Sequence, residues 1–94
     1  MLKSAHAAET LALKALTWIL AQEDLLPVFL GATGSNEADM RDRVQDPEFL
    51  ASVLDFLLMD DAWIIQFCDA EALGYELPMQ ARAQLPGGAQ INWT

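Results

Sequence analysis

Positive charge is scarce in this chain. Its 94 residues carry 5 Lys and Arg against 14 Asp and Glu, a formal net charge of −9. From Val44 to Ala81 there is no Lys or Arg at all, while Asp46, Glu48, Asp55, Asp60, Asp61, Asp69, Glu71 and Glu76 fall in that span. Binding a phosphate backbone requires Lys and Arg to displace counterions, and anionic membrane faces attract the same residues. The composition predicts no nucleic acid and no membrane as partners. A basic partner, or none, is the electrostatically natural reading.

Cysteine and histidine are equally sparse. A single cysteine, Cys68, excludes an internal disulfide. With His6 as the only histidine, a structural zinc site has too few ligands. A Ser-His-Asp arrangement would have to recruit that same His6, which lies on no recognisable motif. The reading assigns no catalytic residue, no metal and no cofactor, and expects no enzyme.

No long apolar run is present either. Crossing a bilayer takes about 20 mainly apolar residues, and Pro27, Asp55 and the Asp60-Asp61 pair break the strongest stretches. Near the N-terminus, Lys3 followed by apolar residues is faintly like a secretory signal. Glu9 and Lys14 interrupt that stretch, however, in the pattern of a folded helix. Cytoplasmic residence is expected. Strand-like alternation is nearly absent, nothing repeats at a fixed period, and no segment is low-complexity.

What the chain does have is apolar surface. AVILMFWYC make up 53% of it, more than the usual share of about 45–50% with glycine included. Helical periodicity organises these residues. Ser4 is placed to cap a first helix reaching about Gln22. Asp24-Leu25-Leu26-Pro27 suits the start of a short second one, because Pro is tolerated in a first turn. GATGS should end it, and Ser35 or Asn36 should cap a third. Asp46-Pro47-Glu48 is a strong start signal of cap acceptor, N-terminal Pro and favourable acid, for a helix running to about Met59. A fifth follows from Ala62 to about Ala72, with Gly74 past its end. Pro78 opens a sixth that stops before Pro86-Gly87-Gly88. The fold expected is all-α, a compact bundle of five to six short helices forming one domain over residues 1–94. Residues 1–5 and 89–94 are expected to be irregular, with Trp93 as a possible anchor.

FLLMDDAWIIQFCD, residues 56–69, has the look of a site. Asp60, however, fits as the cap of the fifth helix and Asp61 as its first residue, each satisfied by the helix end. Asp69 lies eight residues beyond Asp61, about 12 Å along a helix, too far to share a calcium ion. The pair is read as punctuation. Cys68, on the apolar side and without a basic neighbour in sequence, is read as a buried, inert thiol. GATGSN lacks the Lys-Ser/Thr of a phosphate-binding loop and has no strand before it.

The apolar arcs are wide. Around Phe49, Leu50, Val53, Leu54, Phe56, Leu57 and Leu58 the arc is about 200°, against about 100° for an ordinary surface helix. The first and fifth helices are similar. Either the fourth helix is central and the others wrap it, or one face stays open for a copy of the chain or another protein. The function expected is a non-enzymatic interaction or self-associating module, with a homo-oligomer or an unidentified protein as partner. The fourth and fifth helices, or the first, would supply the contact, with Trp63 or Trp18 as aromatic anchor. The alternative is a helix-turn-helix nucleic-acid binder, DLLPVFLGATG leading into NEADMRDRV. There Arg41 and Arg43 sit among Glu37, Asp39 and Asp42, which disfavours a negative groove. A third reading is an enzyme whose carboxylates converge from different helices.

LALKALTWILAQEDLLPVFLGATG, PEFLASVLDFLLMDDAWIIQFCD and the closing LPGG with Trp93 resemble a family of short bacterial proteins known as domain of unknown function 3572. The likeness runs from about Glu9 to Thr94. It implies a small helical bacterial protein that stands largely alone, and it brings no catalytic residue, ligand or partner with it.

Overall fold

In the computed structural model, residues 5–34 and 36–86 are described. They form six helices: α1 (Ala5–Leu20), α2 (Leu26–Thr33), α3 (Glu37–Arg43), α4 (Pro47–Leu57), α5 (Asp61–Glu71) and α6 (Leu77–Ala83). No strand occurs among the described residues, and the fold is the expected all-α bundle. α1 packs along α4 and α6, α4 also packs on α6, and α2 closes against both α1 and α4.

The helix boundaries follow from local hydrogen-bond chemistry. Asn36 Oδ1 accepts from the Asp39 N–H at 2.8 Å, Asp46 Oδ1 from Glu48 at 3.0 Å, and Asp60 Oδ1 from Ala62 at 2.8 Å. Each side chain thereby satisfies one of the N–H groups a helix start leaves free. Asn36, not Ser35, is the cap seen; Ser35 lies outside the described residues, as do Ser4, Trp93 and the rest of 89–94. α1 begins at Ala5, one residue inside the terminus expected to be irregular.

Two boundaries are set by backbone bonds without a side-chain cap or a glycine. α1 stops at Leu20 and α2 starts at Leu26 without a side-chain cap. The turn between them stays nearly helical, and the Gln22 carbonyl accepts from both Leu25 (3.0 Å) and Leu26 (3.1 Å). With the Leu26 N–H met by backbone, α2 starts without a side-chain cap. At the end of α5 the left-handed residue is Ala72 (φ 58°, ψ 46°), two positions before Gly74. Its N–H and that of Leu73 both turn back to the Cys68 carbonyl, the bonding that closes a helix C-terminus. α2 ends in the conventional way, on Gly34 at φ 70°.

α4 is the central helix. Phe49, Leu50, Ala51, Val53, Leu54, Phe56 and Leu57 are all buried, so its wide arc is used up inside the domain. Phe29 of α2 meets Phe49 and Phe56 edge-on, at 6.3 and 5.2 Å between ring centres. α1 contributes small residues, Ala8, Ala12 and Ala15, at zero exposure, which let its backbone approach α4 and α6 closely. Arg82 of α6 ties down the far end. Its Nε donates to Asp55 Oδ1, its Nη2 to Oδ2 (3.3 Å) and its Nη1 to the Pro86 carbonyl (2.9 Å).

Candidate interaction surface

The residues that drew attention in sequence are held by structural work. Asp60 is the cap of α5, with Asp61 exposed in its first turn. Cys68 is fully buried, and its Sγ–H donates to the Gly74 carbonyl at 3.6 Å. Burial pushes the thiol up from its ordinary value, and repulsion from Asp69 and then Glu76 adds to the effect, which disfavours the nucleophilic thiolate. Asp69 also accepts from the Tyr75 hydroxyl at 2.7 Å, the first cause of a raised Tyr75 pKa. Among the described residues, no three His, Cys, Asp or Glu side chains are grouped to hold a metal ion. None of their helices is long and apolar enough to cross a membrane.

Trp63 and Trp18 are half-buried against the core. Trp63 of α5 stacks on Phe56, with ring centres 4.8 Å apart and planes at 21°. Trp18 of α1 meets Phe67 edge-on at 6.0 Å. These contacts fasten α5, whose buried side chains are otherwise Phe67 and Cys68. Each ring thus has packing to do within the domain. On the same helix Ile65 is 44% exposed, while Ile64 packs against the core. In the helix-turn-helix region, the Arg43 guanidinium sits 4.9 Å from the centre of the Phe49 ring, a cation–π placement that holds α3 onto α4. Arg41 is exposed, beside exposed Asp39 and Asp42.

A groove of about 330 Å³ opens where α1, α2 and α3 meet. Leu16, Leu20, Leu26, Met40 and Val44 line it, with Arg41. The spacing explains the convergence. Leu16 and Leu20 are four apart on α1, as are Met40 and Val44 around α3, so each pair shares a face. The near-helical turn after Leu20 brings Leu26 to the same place. Leu16 (4%) and Met40 (5%) form the floor, and Leu20, at 40% exposure, is the open wall. Sequence reading missed most of this surface. Leu16 and Leu20 stood in the wide arc of the first helix, but Met40 and Val44 stand among charged residues and are too few to mark a buried face. Their role comes from where α3 is folded back.

These features define a small acidic all-α bundle with an apolar groove between its first three helices. The model of the family described as Protein of unknown function (DUF3572) matches residues 5–88, and the chain belongs to that family. No curated protein and no solved structure matches it.

Proposed function

We propose that the chain is a non-enzymatic protein-interaction module of the cytoplasm. The observation that carries this reading is the apolar groove left open after the six helices have packed, with Leu20 exposed at its wall. Apolar concavities between helices are where bundles take up other molecules, and contiguous exposed apolar surface marks contact sites. The ionisable side chains support the non-catalytic part. Asp46 and Asp60 cap helices, Asp55 holds Arg82, Asp69 accepts from Tyr75, and the Cys68 thiol is buried.

The test places a photo-crosslinking benzoylphenylalanine at position 20 and, separately, at exposed Gln66 on α5. Irradiation in cells should give a discrete crosslinked species from position 20 that is absent from position 66. Light scattering of the purified chain from micromolar to millimolar concentration then tells a second copy from a different protein. A monomer at all concentrations with no species specific to position 20 would end the reading.

A further inference from the structure

We propose that the chain's own C-terminal segment, GGAQINWT at residues 87–94, docks Trp93 into a second groove, formed by α2, α3 and α4. This goes beyond the interaction-module reading and uses a different surface from the one at Leu20.

The groove has a volume of about 310 Å³. Ser52, Asp55, Phe56 and Met59 line it at the i, i+3, i+4 and i+7 spacing of a single helix face. Ala32 and Thr33 of α2 and Arg43 of α3 complete the lining. Phe56 is buried, whereas Met59 is 70% exposed. The groove therefore leaves a thioether uncovered, a group that packs favourably on aromatic rings.

Residues 87–94 lie outside the described residues, but their point of departure is fixed beside this groove. Arg82 donates to both carboxylate oxygens of Asp55 and to the Pro86 carbonyl. One guanidinium thus joins the last described residue to a lining residue of the groove. Trp93 stands seven positions after Pro86, and an extended chain of that length reaches about 23–25 Å. Gly87 and Gly88 accept either sign of φ, and they sit where the chain needs to turn back towards α4.

The polar groups select what fits. The Ser52 and Thr33 hydroxyls already donate to the Phe49 and Phe29 carbonyls, at 2.6 and 2.9 Å. What each has left is the capacity to accept, and an indole N–H is a donor only. Both charged lining residues are engaged, Asp55 with Arg82 and Arg43 over the Phe49 ring at 4.9 Å. AQINWT carries no charged side chain and asks for none. A tryptophan offers an apolar body with a polar N–H, against apolar surface beside two acceptors.

The tether favours this occupant over a free one. A short linker holds its end at an effective concentration of about millimolar, so an open groove that captures a free ligand only weakly is filled by an attached one. A second copy would bring the same Trp93 without that advantage.

The test labels the full chain with 5-fluorotryptophan and reads the Trp93 fluorine resonance, assigned by its loss in Trp93→Phe. Its H2O/D2O isotope shift, which reports solvent contact, should be well below that of the free peptide GGAQINWT. Met59→Glu and Ala32→Glu, at two exposed lining positions, should each raise it towards the peptide value. Met79→Glu, exposed on α6 and outside the lining, should leave it unchanged. Thermal melts confirm that the variants fold.

A parent chain whose Trp93 shows the full isotope shift of the free peptide would overturn the proposal. So would protection that survives both Met59→Glu and Ala32→Glu, which would place Trp93 elsewhere. Protection that appears only as protein concentration rises would put the segment on a second copy and overturn docking within one chain. None of these outcomes involves the groove at Leu20, so the interaction reading stands or falls separately on its crosslinking test.

Discussion

Ala72→Gly should stabilise this protein, although alanine is the better helix former almost everywhere else. Ala72 holds φ at 58°, a conformation in which a Cβ crowds the following carbonyl at a cost of about 1–2 kcal/mol. Glycine avoids that cost but gives the unfolded chain more freedom, which takes back about 0.5–1 kcal/mol. Ala72 is exposed, so removing its methyl forfeits little packing. The difference runs from about 0 to 1.5 kcal/mol, with a midpoint of about 0.75 kcal/mol, or about 3–6 °C in Tm for a domain of this size. Ala70→Gly supplies the contrast two residues earlier. Ala70 lies in α5 and is also exposed, so the same substitution should cost about 0.5–1 kcal/mol. Circular dichroism melts and urea titrations on the two variants and the parent read both signs. If Ala72→Gly lowers Tm alongside Ala70→Gly, the left-handed closure of α5 on Cys68 is not what ends the helix.

Other consequences are open to direct measurement. Arg82→Ala should cost about 1–2 kcal/mol in urea unfolding, and Asp55→Asn less, because Arg82 also holds the Pro86 carbonyl and exposed ion pairs by themselves contribute about 0–1 kcal/mol. A double-mutant cycle on Phe56→Leu and Trp63→Leu should return a coupling of about 0.5–1.5 kcal/mol, the value of an aromatic pair beyond its burial. A coupling near zero would free Trp63 from its structural assignment. With its pKa raised above 9.0 in the fold, Cys68 holds its proton more tightly folded than unfolded. Its contribution is therefore complete below pH 9 and lost as pH rises through the folded value. Tyr75, raised from 10.0 by its bond to Asp69, acts in the same direction. Melting temperatures should fall on the alkaline side, and Cys68→Ala with Tyr75→Phe should flatten that slope. Spectrophotometric titration of Tyr75 should move back towards its ordinary value in Asp69→Asn.

The local part of this fold was legible because its determinants are local. Asn36, Asp46 and Asp60 cap the helices that follow them, since the acceptor and the donors it serves lie within three residues. Pro47 and the wide arc of α4 marked the helix that became central, since periodicity carries burial along a single element. The sequence also allowed a second outcome, in which the arcs of α4 and α5 were partly interface. Nothing local separates a face buried by its own chain from one buried by another.

Sequence by itself therefore determined the all-α class, most helix starts, the structural use of the acidic pair and the inert setting of Cys68. Only the tertiary structure decided that α4 spends its apolar face inside the domain. It also decided that α5 ends on Ala72, while the Gly74 carbonyl takes the Cys68 thiol. Above all it placed Leu16, Leu20, Leu26, Met40 and Val44 around one groove. The physical reason is the same in each case. Caps and periodicity are short-range properties of neighbouring residues, whereas a groove is the volume left over when separate helices pack, and it depends on how all of them are arranged.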